Sequence, residues 1–396
     1  MSADNCYLNA LGMLNTLGAG QEQILANLLV GRAPGMRAQS GWIPGRSVHT
    51  GSVDASLAPW PDHLASQASR NNRLLATASA QIQDQINAAI KRYGVDRIGV
   101  VLGSSTSGIA EGEAAIAAFE QDGSVPAGFD YRQQEMGSPA LALAALLELG
   151  GPAWTISTAC SSSARAFAEA RHLLEMELCD AVLVGGSDSL CRLTLNGFAA
   201  LDAIAEGPTR PFCAGRDGIN IGEGAAVFLM SREPGPVRLA GVGDASDAHH
   251  ISAPQPQGEG AEAAMHMALT DAGLEAGQID YINLHGTGTP LNDIMESAAV
   301  NRVFGDQTAC SSTKTLTGHT LGPAGAIEAG LCWLLLSAQN RDRTLPAQIF
   351  NGERDPELAP IGLLESAAML PAGETRYCLS NSFAFGGNNC TVILAG

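Results

Sequence analysis

Two short stretches of the sequence are apolar at almost every position: Arg97–Gly103 (RIGVVLG) and Asp180–Gly186 (DAVLVGG). Continuous apolar runs of this length are expected of strands that are covered by helices on both faces, because neither side of such a strand meets water. Apolar segments with helical spacing lie between them, including Pro139–Leu149. Strands that alternate with helices in this way predict an α/β architecture.

A segment rich in proline and glycine, Ser231–Val237, interrupts this alternation near the middle of the chain. Beyond it, candidate strands and helices alternate again in the same order. Two segments of similar placement, each between a strand and an Ala-rich helix, also recur at Thr158–Ala164 and Thr317–Pro323. The repeated order predicts a duplication with halves at residues 1–230 and 231–396.

Two further segments give local predictions. The stretch Gly31–Pro61 is rich in glycine, proline and serine, which favours an irregular excursion over the surface. Apolar residues at helical spacing predict one long helix over Asn71–Arg92.

Composition excludes several classes of protein. The chain has 396 residues, 45% of them hydrophobic, which is enough for a large globular core, but no apolar run reaches the roughly 18 residues of a membrane span. A net charge of −18 disfavours nucleic acid as a partner. The nine cysteines are scattered and never spaced as C-x-x-C, which argues against a disulfide framework and a zinc site and suits the cytoplasm, as does the lack of an export signal.

Cys160 lies where a candidate strand, Pro152–Thr158, passes into a candidate helix. Backbone N–H groups at the first turn of a helix are unpaired and carry partial positive charge, so this position predicts a stabilised thiolate and a nucleophile. The alternative is a small buried side chain, which is the commoner use of a single cysteine.

Two histidines and a lysine in the second half are candidate partners of that cysteine. His285 ends a strand, where α/β folds bind ligands, and His319 has the same placement. Lys314 is one of only two lysines in the chain, and a compact ammonium fits a small buried site. For any single histidine, a hydrogen-bonded place in the core remains the alternative.

Carboxylates and aromatic residues complete the candidate site. Asp293 and Glu296 fall in the first turn of a helix. The helix dipole alone would favour carboxylates there, and the alternative is that one of them neutralises Lys314. Phe383 and Phe385 flank a flexible glycine pair and could either plug the core or gate a cavity.

Four ordered motifs resemble the β-ketoacyl-acyl carrier protein synthases, the condensing enzymes of fatty-acid and polyketide synthesis. They are T-A-C-S-S around Cys160, H-G-T-x-T-x-x-x-D from His285, K-x-x-x-G-H-x-x-G-x-x-G from Lys314 and N-S-F-x-F-G-G from Asn381. The resemblance implies the thiolase fold, two duplicated βαβαβαββ halves in a five-layered αβαβα arrangement, and a dimer that pairs edge strands near the cysteine.

By this resemblance, Cys160 accepts an acyl chain from acyl carrier protein as a thioester. The backbone N–H groups of Cys160 and Phe385 form the oxyanion hole, and His285 and His319 bind the malonyl thioester carbonyl during loss of carbon dioxide. Lys314 with Glu296 holds the charge pattern. Two histidines imply an elongating enzyme, since initiating synthases have asparagine at the second position. The resemblance implies no cofactor and no catalytic metal.

The resemblance also implies contacts around the site. Thr287 and Thr289 match residues that contact the pantetheine arm, Phe383 lies on the substrate side, and Arg70 and Arg73 match a basic patch that docks the acidic carrier protein. On the sequence alone, such an arginine pair is ordinary solvated surface. Further residues match the surroundings of a structural cation in relatives: Asn283, Glu328 and Asn381.

This chain departs from the family pattern at Ala384 and Asn388, where relatives have glycine and threonine, and its N-terminal excursion is similar to that of synthases for aryl polyene pigments, which can pair with a cysteine-less partner subunit. The assembly expected is a homodimer or a heterodimer with a related subunit. The alternatives are a thiolase-type acyltransferase, which would need a second catalytic cysteine, and a non-catalytic chain-length factor, which would lack Cys160.

Overall fold

A computed structural model describes residues 6–350 and 352–396 of the protein. The strands are β1 (Cys6–Asn15), β2 (Gly18–Ala19), β3 (Met36–Ile43), β4 (Arg46–Gly51), β5 (Ile98–Gly103), β6 (Ala153–Ile156), β7 (Ala181–Asp188), β8 (Ile221–Gly222), β9 (Gly224–Ser231), β10 (Val237–Ser246), β11 (Tyr281–Asn283), β12 (Ala309–Ser311), β13 (Thr344–Leu345), β14 (Gly362–Leu363), β15 (Ala368–Met369), β16 (Tyr377–Phe383) and β17 (Asn388–Ala395).

The α-helices are α1 (Gln21–Val30), α2 (Arg70–Ala80), α3 (Gln83–Tyr93), α4 (Ile109–Asp122), α5 (Ser138–Leu146), α6 (Ser162–Glu175), α7 (Arg192–Ala200), α8 (Glu259–Ala272), α9 (Pro290–Phe304), α10 (Lys314–Thr317) and α11 (Ala324–Leu336). In the described part of the chain, none is both long and apolar enough to cross a bilayer.

The strand order shows the predicted repetition directly. In the first half the main strands lie in the order β6-β5-β7-β9-β1, and in the second half in the order β12-β11-β16-β17-β10, with β14 beyond β12. Both halves therefore place their third, second, fourth, fifth and first strands side by side. The first three strands of each row pair in parallel and the remaining pairs are antiparallel, so the halves share one topology.

One antiparallel pairing joins the two halves into a continuous sheet. Strands β1 and β10 pair through Cys6 with Leu239, Tyr7 with Arg238, and Leu8 with Val237. The short segment before β10 is the Pro/Gly stretch of the sequence, which turns the chain from β9 into the second half.

Helices α6 and α11 lie between the two halves of the sheet, and each contacts strands of both halves. Helices α2 and α5 cover the outer face of the first half. Helix α8 packs on β10 and β17 of the second half, and α9 packs against α8. The central core accordingly combines side chains from both halves, including Phe167 of α6, Phe228 of β9, Leu331 of α11 and Val392 of β17. Each fully buried side chain of this kind contributes about 1.5–3 kcal/mol, so the middle layer holds the halves together.

The two central helices meet closely at their first turns. Gly325 of α11 faces Ala164 of α6, where a Cβ on the glycine would lie 2.7 Å from the Cβ of Ala164. The amide of Ser163 donates to the carbonyl of Gly322 at 3.0 Å, and the amide of Ala326 donates to Oγ of Ser163 at 2.9 Å. Because the helix starts touch, the loops that precede them meet as well.

Two local predictions were wrong. The stretch Gly31–Pro61 contains the hairpin β3–β4, which is held because Thr50 of β4 pairs with Ile221 of β8. The long helix over Asn71–Arg92 is two helices, α2 and α3. The break falls at Gln81, whose side chain accepts from the amide of Met13 and donates to its carbonyl, and so ties the chain to β1.

Candidate active site

The cysteine predicted as nucleophile lies between β6 and α6, at the centre of the molecule. Ala159, directly before it, has a left-handed backbone with φ of 52°, which costs a residue other than glycine energy and is common where a functional side chain is presented. The Cys160 side chain is buried, with 4% of the residue exposed.

Both predicted histidines reach this sulfur region from the second half. Nε2 of His319 lies 2.9 Å from Sγ of Cys160, and the rings of His319 and His285 have centroids 5.4 Å apart at 85°. His319 is held by its backbone: its amide donates to the carbonyl of Asn220 at 2.7 Å, and its carbonyl accepts from Gly222 at 3.0 Å. Burial lowers the pKa of both rings well below 6.5, with the charge of Lys314 adding to the effect, so both are neutral at neutral pH.

The prediction that Cys160 rests as a thiolate was wrong. Burial raises the pKa of its thiol to about 11, although the Lys314 charge and the backbone N–H groups of Phe385 and Cys160 act in the opposite direction. The cost of desolvating a thiolate exceeds the favourable field at the helix start. In the resting protein the sulfur is therefore a thiol beside a neutral imidazole.

Alkylation of Cys160 by iodoacetamide is expected to accelerate about tenfold per pH unit up to about pH 11, because the reactive thiolate grows in that proportion below the pKa. Intact-mass measurement of the alkylated protein against pH checks this, with Cys160→Ala as the control for other thiols. A rate that levels off near pH 8 would contradict the raised pKa.

Lys314 is paired with Glu328, and not with Glu296 as expected. Its Nζ lies 2.5 Å from Oε1 of Glu328, and both side chains are buried. On its other side, Nζ lies 3.4 Å from Nδ1 of His285. An ammonium can only donate, so Nδ1 of His285 accepts, and the single proton of the neutral ring is on Nε2. Lys314 thereby fixes the tautomer that offers an N–H from Nε2.

Glu296 has a different task, which is to hold the loop that carries His285. Its two carboxylate oxygens accept from the amides of His285 at 2.7 Å and of Gly286 at 2.6 Å. Burial raises the pKa of Glu296 to about 7, with the nearby Asp293 adding to the effect. Asp293 in turn accepts from the amides of Phe212 and Gly288, and burial raises its pKa to about 6.

A cavity of about 270 Å³ opens onto the cysteine and both histidines. The predicted substrate residues Thr287, Thr289, Phe383 and Phe385 all line it. Phe385 directs its backbone N–H at the sulfur of Cys160, and its ring lies 5.4 Å from that of Phe198 on α7. The arrangement thus combines a sulfur, two N–H-bearing rings, backbone donors and an apolar wall in one enclosed space.

The two arginines predicted to dock a carrier protein both have intramolecular partners. Arg70 donates to both carboxylate oxygens of the buried Glu223, at 2.5 and 2.8 Å. Arg73 donates to the backbone carbonyls of Ala58 and Leu57. Each guanidinium therefore stabilises the fold at the start of α2, and the docking role stays a prediction.

Arg70→Ala is expected to lower the free energy of unfolding by about 1–3 kcal/mol, since Glu223 would be left as a buried carboxylate without its charged donor. Urea titration monitored by circular dichroism measures the change. The matched control is Arg92→Ala, whose ion pair with Glu233 is exposed on both sides and is worth less than about 1 kcal/mol. Equal effects of the two substitutions would contradict the structural role of Arg70.

One supporting residue was missed from the sequence. Asp188, at the end of β7, is buried and accepts from Oγ of Ser104, the amide of Thr106 and the amide of Gly322. Burial raises its pKa, and these donors oppose the rise. It joins the loop after β5 to the loop before α11, close to both reacting groups. The available sign was a carboxylate at the end of a strand that is apolar up to Gly186.

Buried oxygens near Lys314 fit the structural cation that the resemblance implies. Oδ1 of Asn283 and Oε2 of Glu328 are buried and have no hydrogen-bond partner among the described residues, while Oδ1 of Asn381 accepts from Thr391. Neutral and anionic oxygens are the donors that hard cations prefer. Such a cation, when bound, would contact the oxygen of Glu328 that Lys314 leaves free.

Comparison with known proteins agrees with this site. The family model for the beta-ketoacyl synthase N-terminal domain matches residues 39–234, and that for the C-terminal domain matches residues 237–348. Nodulation protein E of Rhizobium meliloti (strain 1021) is 33% identical over 361 residues, which cover 86% of this chain and 87% of that protein. The 3-oxoacyl-[acyl-carrier-protein] synthase 2 of the same organism is 39% identical over 266 residues, 62% of this chain and 61% of that protein.

The chain belongs to the β-ketoacyl synthase family, as its four motifs predicted, and has the thiolase-like fold of that family. It is similar to a solved ketosynthase (ApeO) in complex with its chain length factor (ApeC) from Xenorhabdus doucetiae, with 50% identity, a TM-score of 0.94, and coverage of 98% of this chain and 97% of that one. It is a condensing acyltransferase of fatty-acid or polyketide elongation, and neither alternative class is favoured.

Proposed function

We propose that Cys160 carries the growing acyl chain as a thioester. The thiol sulfur attacks the carbonyl carbon of an acyl-carrier protein thioester, and the neutral His319 beside it takes the thiol proton. The backbone N–H groups of Cys160 and Phe385 stabilise the oxyanion. The carbon–sulfur bond to the carrier breaks, and the departing pantetheine thiolate takes up the proton.

In the second half of the reaction, a malonyl thioester occupies the same cavity. His285 donates from Nε2 to the thioester carbonyl, in the tautomer that Lys314 fixes, and His319, with its single proton on Nε2 in this step, donates beside it. The bond to the carboxylate breaks, carbon dioxide leaves, and its electron pair forms an enolate. The enolate carbon attacks the carbonyl carbon of the acyl-Cys160 thioester, and a carbon–carbon bond forms. The bond from that carbonyl carbon to Sγ of Cys160 breaks, and the released thiolate takes up a proton from solvent.

The approach of Sγ of Cys160 to within 2.9 Å of Nε2 of His319, inside a cavity that also contains His285, carries this proposal. Purified protein is expected to gain the mass of the acyl group when incubated with acyl-carrier protein thioesters, and Cys160→Ala is expected to gain none. Intact-mass spectrometry of the protein measures this. The matched control is Cys191→Ala, another buried thiol, which keeps acylation. Acylation of Cys160→Ala would refute the assignment.

We also propose a heterodimer with a related, cysteine-less subunit. Strand β6 forms one edge of the sheet. Large apolar side chains are exposed on the helices and loops of the first half, including Ile116, Phe119, Tyr131 and Leu141. The similar ketosynthase from Xenorhabdus doucetiae was solved with its chain length factor. Sedimentation of the chain alone and co-expressed with such a subunit tests this, and a stable monomer in both would contradict it.

Acyl carrier protein is the proposed partner at the cavity mouth, because a buried sulfur requires a substrate delivered on a long arm. Thr287 and Thr289, whose hydroxyl groups lie 2.9 Å apart on the cavity wall, would contact that arm. The division into halves at residues 1–230 and 231–396 and a cytoplasmic location remain parts of the proposal. The scattered, odd number of cysteines supports that location.

A further inference from the structure

The sulfur of Cys160 and one nitrogen each of His285 and His319 lie within 4.8 Å of one another, and all three side chains are buried. One thiolate and two imidazoles are a donor set for zinc and similar divalent metals, with a fourth position left for water. Ligand spacing in the sequence gave no sign of it, since the donors come from different halves of the chain. The reacting groups therefore have the composition of a metal site.

Lys314 withholds one of the three donors. Its ammonium lies 3.4 Å from Nδ1 of His285, which must accept, so the proton of this neutral ring is on Nε2. Neither nitrogen of His285 then has a lone pair free for a metal. Only Cys160 and His319 are left, and two ligands hold a divalent ion weakly.

The charge of Lys314 acts in the same direction. The ammonium is kept in the site by Glu328 at 2.5 Å, in a buried setting where water screens little. At the three donors, where Nζ lies 3.4 Å from the ring of His285, a second cation is disfavoured by repulsion. The loss of His285 as a ligand and the positive charge of Lys314 thus both oppose metal binding at a cluster whose side chains would otherwise favour it.

We propose that Lys314 keeps zinc-like divalent metals out of the active site, and that Cys160, His285 and His319 become a metal site once the ammonium is removed. A metal bound to the sulfur would prevent its acylation, so exclusion preserves the reactive thiol. Metal binding by these donors does not require the reaction proposed above, and a failure of either proposal leaves the other testable.

The test compares the wild-type protein with the double variant Lys314→Met, Glu328→Gln. Both charges are removed together because a lone buried carboxylate would destabilise the fold. The probe is Co²⁺, which absorbs in the near ultraviolet when a thiolate binds it. We expect the double variant to bind one Co²⁺ with this absorption and with a dissociation constant about 100-fold lower than that of the wild type.

The matched control adds Cys160→Ala to the double variant, which should remove the absorption. Equal affinity in the wild type would overturn the proposal, as would a folded double variant without the thiolate band or a band that survives loss of Cys160.

A second measurement, on the wild-type protein, tests the proposal even if the double variant does not fold. Nitrogen NMR of wild-type protein labelled at histidine is expected to show His285 with a bare Nδ1 and a protonated Nε2. The opposite tautomer would overturn the proposal, because Nε2 would then be open to a metal with Lys314 in place.

Discussion

Replacing His285 with alanine is expected to stop condensation at decarboxylation while Cys160 still accepts an acyl group. The ring lies beside His319 and is fixed by Lys314 with its proton on Nε2, whereas the 2.9 Å contact to the sulfur belongs to His319. Loss of one preorganised donor to a developing oxyanion lowers the rate about 10²- to 10³-fold. Release of carbon dioxide from malonyl-carrier protein and the mass gain on Cys160 separate the two steps.

The matched control for this substitution is His266→Ala, which removes an exposed histidine on α8 whose Nε2 lies 3.8 Å from Glu262. It should leave both steps unchanged. Full condensation by the His285→Ala protein would remove this residue from the mechanism. A loss of acylation equal to the loss of decarboxylation would show that the ring serves the sulfur instead.

Glu296→Gln is expected to lower kcat/KM for condensation about 100-fold, although it changes a single atom type. Both carboxylate oxygens accept from backbone amides, at His285 and Gly286, and a glutamine must turn an NH₂ group towards one of these donors. The loop then shifts, and a displacement of about 1 Å in a catalytic group lowers the rate about 100-fold. Steady-state kinetics measure it, with Glu262→Gln, a partly exposed carboxylate paired to Arg302 and distant from the cavity lining, as the control.

The same carboxylate predicts a pH dependence. Burial raises the pKa of Glu296 to about 7, so the group takes up a proton as the pH falls through that value. A protonated carboxyl cannot accept from both amides, so wild-type condensation should decline below about pH 7. The Glu296→Gln protein should show no such decline, because it has no group to titrate at this position. If the condensation rates of the two proteins fell in parallel below pH 7, protonation of Glu296 would not be the cause of the decline.

The elements and the family were predictable from the sequence because each depends on local patterns. A short apolar run such as Asp180–Gly186 has the length of one buried strand, and β7 was found where it was predicted. The repeated order of elements predicted the repeated topology. The junction of the halves through β1 and β10 required the structure, since pairing between strands more than 200 residues apart leaves no local pattern. The hairpin β3–β4 and the break at Gln81 were missed for the same reason, because each depends on a contact with a distant strand.

Electrostatic partners were harder to predict than positions. Cys160, His285, His319 and Lys314 are together as expected, but the partner of Lys314 is Glu328. Glu296 was expected from the resemblance, whereas Glu328 lies one turn into α11 and is brought in by the packing of that helix. The thiol pKa was also misjudged, because helix position is visible in the sequence and the depth of burial is not.

Cys160 and His319 lie at equivalent positions in the two halves, which share one topology. In each half the chain leaves the third strand, β6 or β12, and delivers a reactive side chain just ahead of a central helix, α6 or α11. The first copy supplies sulfur and the second supplies imidazole. The different tasks of the two halves thus depend on the identity of one residue in each. In an ancestor with two identical halves, two cysteines or two histidines would have faced each other at these positions.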